Sequence, residues 1–150
     1  MSKFIITDAF WAVFPQAEIA VVVAKGISNQ EDHVAAVRQE IDQLLQQSSV
    51  EAKKFFTEEV FSENPVIAVW RKAFQQFKTK KGVRCSIEAL LKRIEKGTGV
   101  SPINPLVDIY NSVSLTFGLP CGGEDMDTFQ GDLLLTKAMG GEEFLALGDE

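Results

Sequence analysis

Through the middle of this chain apolar residues recur every three or four positions; near both ends they come in short, dense runs. The clearest helical pattern covers residues 104–117. At about 100° per residue, Leu106, Ile109, Tyr110, Val113 and Phe117 share one face, and Asn104, Asp108 and Asn111 fall on the opposite one. Asn104 is placed as an N-cap and Pro105 at the first helical position, where its missing N–H costs nothing. The pattern predicts a helix that buries its apolar face and turns amide, carboxylate and amide outward. Ile87, Leu90, Leu91 and Ile94 predict a second helix, capped by Ser86, with Lys92, Arg93 and Lys96 outward. Its Glu88 lies in the first turn, where the helix dipole favours a carboxylate. Val66, Val69, Trp70, Ala73 and Phe77 predict a third, after a second Asn-Pro pair at Asn64-Pro65. Val34, Val37, Ile41, Leu44 and Leu45 predict a fourth, opened by a capping box of Ser28 and Glu31. Ser49 predicts a further cap, with Phe55, Phe56 and Phe61 in the core.

Strand patterns lie at the ends. Residues 4–7 and 19–24 are rich in β-branched side chains, and residues 132–136 and 144–147 are short apolar runs separated by Gly140-Gly141. Phe10, Trp11, Val13 and Phe14 are expected in the core or in a third short strand near the start. Helices in the middle with strands at both ends predict an α+β fold, helices packed against short mixed sheets, and one domain over residues 1–150.

Charge changes this picture more than composition does. The net charge is −6, yet residues 71–96 hold nine bases against Glu88 and Glu95, a local +7. An acidic total argues against a general nucleic-acid coat, while a basic island can meet one phosphate backbone; equally, it can be a solvated helix pair. Cys85 and Cys121 have neither paired spacing nor a neighbouring histidine, so reduced thiols are expected, without a disulfide or metal site. No export signal or membrane-length run is found, and a cytoplasmic location follows as an expectation. The single histidine, His33, has no evident catalytic partner. Phosphate-loop, dinucleotide, zinc-protease and nucleophile-elbow motifs are missing. Gly97-Thr98-Gly99 follows a helix, which suits a C-cap rather than a phosphate cradle.

The run NPLVDIYNSVSLTFGLPCGGEDMDTFQGDLLLTKAMGGEEFLAL resembles the B3/B4 tRNA-binding and editing module of the bacterial phenylalanyl-tRNA synthetase β subunit. That module carries N-x-V-V-D-x-T-N-Y-V, then G-Q-P-x-H-A-x-D, then G-E-x-x-x-x-L. SIEALLKRIEKG, WRKAF and SPINPLVDIYN are similar to free-standing relatives of the domain. The resemblance implies trans-editing: hydrolysis of a wrong or non-protein amino acid, such as the arginine mimic canavanine, from tRNA. No cofactor is implied. The implied partners are the aminoacylated end of tRNA and an aminoacyl-tRNA synthetase.

By the same resemblance Asn111 matches the editing-pocket asparagine, Asp108 the aspartate earlier in that helix, and Asp125 the aspartate closing the G-Q-P motif. The motif's histidine falls at Gly122, and the family's pocket glutamate and last strands lie beyond residue 150. The implied catalytic set is Asn111 with backbone N–H groups of Gly122 and Gly123. Glu88, Asp108, Asp125 and Ser86 are the implied substrate-binding set. Lys78, Lys80, Lys81, Arg84, Lys92 and Arg93 are expected to face tRNA. Two other readings stay open: a tRNA- or synthetase-binding module without catalysis, and an enzyme acting on a small amino-acid ester or amide.

Overall fold

Two short apolar runs far apart in sequence pair through their backbones. In the computed structural model, which describes residues 2–78 and 82–143, β1 (Phe4–Ile6) lies parallel to β2 (Leu133–Leu135), with Phe4 opposite Leu133 and Ile6 opposite Leu135. Lys3 O accepts from Leu133 N at 2.8 Å and Thr7 N donates to Leu135 O at 3.0 Å. Side chains pin both ends: Asp132 Oδ1 accepts from Lys3 N at 2.8 Å, and the hydroxyls of Thr7 and Thr136 meet at 2.9 Å. These pairings tie Met1–Ala24 to Glu124–Glu150 as one compact unit; Lys25–Gly123 forms the other.

Within the first unit, two predicted strands are present and two expectations need correction. Residues 19–24 are irregular, and Val22 is 91% exposed. Branched side chains favour an extended backbone, but a strand also needs a neighbour to take its hydrogen bonds. Phe10 and Trp11 belong to a short helix, α1 (Asp8–Trp11), rather than a strand; the Phe10 ring stands edge-on to Trp11 at 5.3 Å and lies 5.5 Å from Phe14. Among the described residues the only sheet is this parallel pair, where mixed sheets were expected. The predicted strand at 144–147 lies outside the described residues.

The second unit is helical, and the whole is helix-rich with a small sheet, as an α+β reading requires. It contains α2 (Arg38–Glu51), α3 (Pro65–Phe74), α4 (Ser86–Glu95) and α5 (Pro105–Phe117), with 3-10 turns at Glu31–Val34, Ala52–Phe55 and Phe61–Glu63. Leu45, Ile67, Ile87, Leu91 and Leu115, one or two from each helix, meet in the core. Each such side chain contributes roughly 1.5–3 kcal/mol on burial. Phe55, Phe56 and Phe61 pack around them, as the sequence predicted.

Helix ends depart from the expected caps in instructive ways. Ser28 does not open a helix; its Oγ accepts from Gln30 N and lies 2.7 Å from His33 Nδ1. Ser49 sits inside α2, its Oγ donating to Leu45 O at 2.7 Å. Ser86 is the first residue of α4, whose N-cap is the buried Cys85. Asn64 precedes α3 but does not cap it: Oδ1 accepts from Thr57 N and Glu58 N, and Nδ2 donates to Phe61 O, so the amide braces the preceding loop. Asn104 does cap α5, accepting from Val107 N at 3.0 Å. Gly97 (φ 71°) ends α4 in the left-handed region, with Thr98 N donating to Arg93 O, as the C-cap reading predicted.

Helix α5 reverses its predicted orientation. The buried residues are Pro105, Asp108, Asn111, Ser112, Ser114 and Leu115, while Leu106, Ile109, Val113 and Phe117 are exposed. Its main neighbour is α2, which brings Ile41, Leu45 and Ser48 to the interface. Close approach across that interface is possible because three of the inward side chains are serines or asparagine, and each serine returns its hydroxyl to the backbone. Ser112 Oγ donates to Asp108 O at 2.7 Å, and Ser114 Oγ to Leu119 O. Gly118 (φ 69°) then ends the helix. A Cβ there would come within 2.8 Å of Phe55 Cζ and Val66 Cγ2, so both the backbone angle and the packing require glycine.

Candidate functional site

The inward face of α5 holds two candidate residues in different circumstances. Asp108 is fully buried. Its Oδ1 accepts from Ile103 N at 2.8 Å, and its Oδ2 from Arg38 Nη2 at 2.6 Å. The same guanidinium meets Asp42 at 2.5 Å and Glu31 at 3.4 Å. Hydrogen bonds from Arg38 to Asp42, then to Asp108, hold its charge on more firmly than in a free arginine. Asp108 is therefore engaged within the fold, against the expectation that it faces outward.

Asn111, one turn further along, is also inward and only 9% exposed. Among the described residues its side-chain amide has no hydrogen-bond partner. No fully enclosed side-chain polar atom among them lacks one, so the amide tip keeps contact with solvent while its stem is packed. An amide left in this state gains a hydrogen bond only from something outside the described chain.

Glu88 on α4 repeats the circumstances of Asp108. It is 2% exposed, and Arg71 of α3 grips it with both nitrogens of its fork, at 2.7 and 3.2 Å. Arg84 Nε stands 3.8 Å away. The hydrogen bonds to Glu88 raise the pKa of Arg71. The dipole explanation for Glu88 is thus joined by a cross-helix ion pair. Ser86 is exposed at the start of α4.

The glycine loop does not close over Asn111. Gly122 and Gly123 are exposed, and Gly123 lies against Leu106 and Tyr110. By helical spacing those side chains stand about 100° or more around α5 from Asn111. The described chain therefore does not bring the two glycines to the Asn111 side, so the implied set of Asn111, Gly122 and Gly123 is not assembled among the described residues. Asp125 belongs to the other compact unit, where its Oδ1 caps a 3-10 turn at Asp127 N.

Two surface hollows lie elsewhere. One, of about 490 Å³, is lined by Phe56, Phe61, Asn64 and Ile94 with Lys53 and the acids Glu58, Glu59 and Glu95. The other, of about 280 Å³, is lined by Arg84, Ala89, Lys92, Arg93 and Lys96. Lys92 stands between the two environments, 2.6 Å from Glu95 and 4.3 Å above the Phe61 ring. Of the remaining basic candidates, Lys78 is exposed, and Lys80 and Lys81 lie outside the described residues.

Sequence reasoning missed Arg38 and Asn29 and the pairing of Arg71 with Glu88, and it placed Lys96 outward without naming it in the set expected to face tRNA. Nothing local marks the two arginines as partners of buried acids, since Arg38 and Asp108 are 70 positions apart. Asn29 Oδ1 accepts from Leu106 N at 2.8 Å, adding a second cap to α5 from a distant loop. Lys96 was findable, since it follows Ala89, Lys92 and Arg93 at i+7, i+4 and i+3. Among the described residues no group of three or more His, Cys, Asp or Glu could hold a metal ion. No helix among them is long and apolar enough to cross a membrane.

Comparison with known proteins agrees with the resemblance read from the sequence. Over 61 residues the chain is 39% identical to a phenylalanine–tRNA ligase beta subunit of Streptococcus mutans serotype c, and 38% identical to one of Streptococcus pneumoniae serotype 4. Each match covers 40% of this chain but only 8% of the ligase subunit. No solved structure matches. The B3/4 domain family matches residues 69–150, more than half of the chain and all of α4 and α5. With that span covered, the chain belongs to the B3/4 domain family.

Proposed function

We propose that this protein acts on aminoacylated tRNA in trans, hydrolysing the ester of a wrongly attached amino acid. The observation that carries the proposal is the Asn111 amide: packed along its stem, without a partner among the described residues, and inside the B3/4 segment. An aminoacyl ester is already labile, so an ordered water assisted by the terminal ribose hydroxyl needs little from the protein beyond orientation. The amide supplies that orientation by holding the carbonyl or amine of the amino acid. Glu88 and Asp108 serve here as braces, because their oxygens are spent on Arg71 and Arg38. The backbone donors of Gly122 and Gly123 would join only as substrate draws their loop in. A second site of this kind is useful because one small group changes binding in a single pocket by only about 1–3 kcal/mol.

One observation favours a second reading, a module that grips tRNA or a synthetase without turnover. The buried acids are already paired, and none faces Asn111 as a free base among the described contacts. Incubation with a panel of misacylated tRNAs, without ATP, separates the two. Release of amino acid that drops about a hundredfold in Asn111→Ala, with an unchanged melting curve, supports hydrolysis. Salt-sensitive binding without release supports the module. Release only from small esters supports neither.

A further inference from the structure

The outward face of α4 carries a recess whose lining is basic throughout. Ala89, Lys92, Arg93 and Lys96 fall at i, i+3, i+4 and i+7 on one face, and Arg84 enters from the segment before the helix. Ala89 has almost no side chain, and the four cationic side chains line the hollow with it. The recess is an open hollow of about 280 Å³ on the surface, reachable by a phosphate group from solvent.

The four cations differ in how far the fold has already neutralised them. Lys92 is held by Glu95 and the Phe61 ring, which fixes its stem and shares its charge. Arg84 is 3.8 Å from Glu88, whose oxygens are taken by Arg71. Arg93 and Lys96 have no carboxylate partner among the described residues. Arg93 sits in the last turn of α4 and Lys96 is its C-cap, the end of a helix where positive charge is favoured. Arg84 precedes α4 and Lys96 caps its end, so these charges run the length of a ten-residue helix, about 15 Å at ~1.5 Å per residue. A line of charge that long suits a polymer of phosphates better than one small anion, since duplex nucleic acid carries a charge every ~1.7 Å along its axis.

We infer that the recess over Ala89 seats a backbone phosphate of RNA, gripped by Arg93 and Lys96 and flanked by Arg84 and Lys92. This deepens the tRNA reading above and rests on it, while placing RNA contact at a defined recess rather than over the whole basic segment. Lys78 and Lys72, which do not line the recess, lie outside the seat.

The test uses the full chain and a fluorescein-labelled RNA hairpin with the stem and single-stranded 3′ end of a tRNA acceptor arm. Binding is followed by anisotropy between 50 and 200 mM salt. Arg93→Ala with Lys96→Ala, both exposed, should weaken binding at least tenfold and lower the salt slope by about 1.4–1.8, two contacts at 0.7–0.9 each. Ala89→Leu fills the recess without changing charge and should weaken binding several-fold; Lys72→Ala should leave it unchanged. Wild-type binding by Ala89→Leu, verified as folded by circular dichroism, would reduce the recess to diffuse charge. Unchanged binding in the double variant would overturn the seat outright. Competition by inorganic phosphate at the RNA's own affinity would make it a small-anion site, and equal competition by polyglutamate would make it a surface for acidic protein. Recess-dependent binding with no amino-acid release would leave the seat standing and remove the hydrolysis. Release that survives the double variant would do the reverse.

Discussion

Helices α4 and α5 are neighbours of similar length, both with two chemically distinct faces, and they are oriented oppositely. In α4 the apolar stripe Ile87, Leu91 and Ile94 is buried and the bases point out. In α5 the serines, Asn111 and Asp108 are buried, and Leu106, Ile109 and Val113 are exposed. Periodicity thus reports that a helix has two sides, but what lies across from it decides which side is inward. The polar face of α5 can be buried because α2 brings Arg38 to Asp108, and because serine hydroxyls are satisfied by carbonyls of the helix and of the turn that follows it.

Substitutions can break this contrast. Leu91→Ala should show the largest effect, about 3 kcal/mol in denaturant unfolding, because it empties a fully buried site in α4. A loss below 1 kcal/mol would mean that α4 is not the conventional member of the pair. Asp108→Ala should come next, at roughly 2–3 kcal/mol, since it leaves Ile103 N–H without its acceptor and Arg38 without its interior partner. Stability equal to wild type would show that the inward carboxylate is dispensable. The smallest effect is expected from Val113→Ser on the exposed side of α5, under about 1 kcal/mol by the same measurement. A loss as great as that of Leu91→Ala would restore the orientation that periodicity predicts.

What could be read in the sequence was local. The positions of α3, α4 and α5, the Asn104 cap, the glycine stop after α4 and the strands at 4–6 and 133–135 all follow from spacing and turn chemistry within a few residues. What could not be read depended on distant partners. The two Asn-Pro pairs look alike, yet Asn104 caps its helix while Asn64 braces residues 57–61. Residues 19–24 have the letters of a strand and no neighbour to make them one. For the candidate site, Asn111 was named from the resemblance, and its packed stem and free amide are legible only in the fold. Glu88 and Asp108 were named too, without the arginines that occupy them.

Arg38 has a consequence for how the molecule assembles. One guanidinium contacts Glu31 in a turn, Asp42 on its own helix and Asp108 on α5. An intermediate in which α5 collapses onto apolar neighbours before α2 arrives would strand the Asp108 carboxylate away from water without a counter-ion. Such half-built species are penalised, so the Asp108 side of α5 is expected to leave water only together with Arg38 of α2.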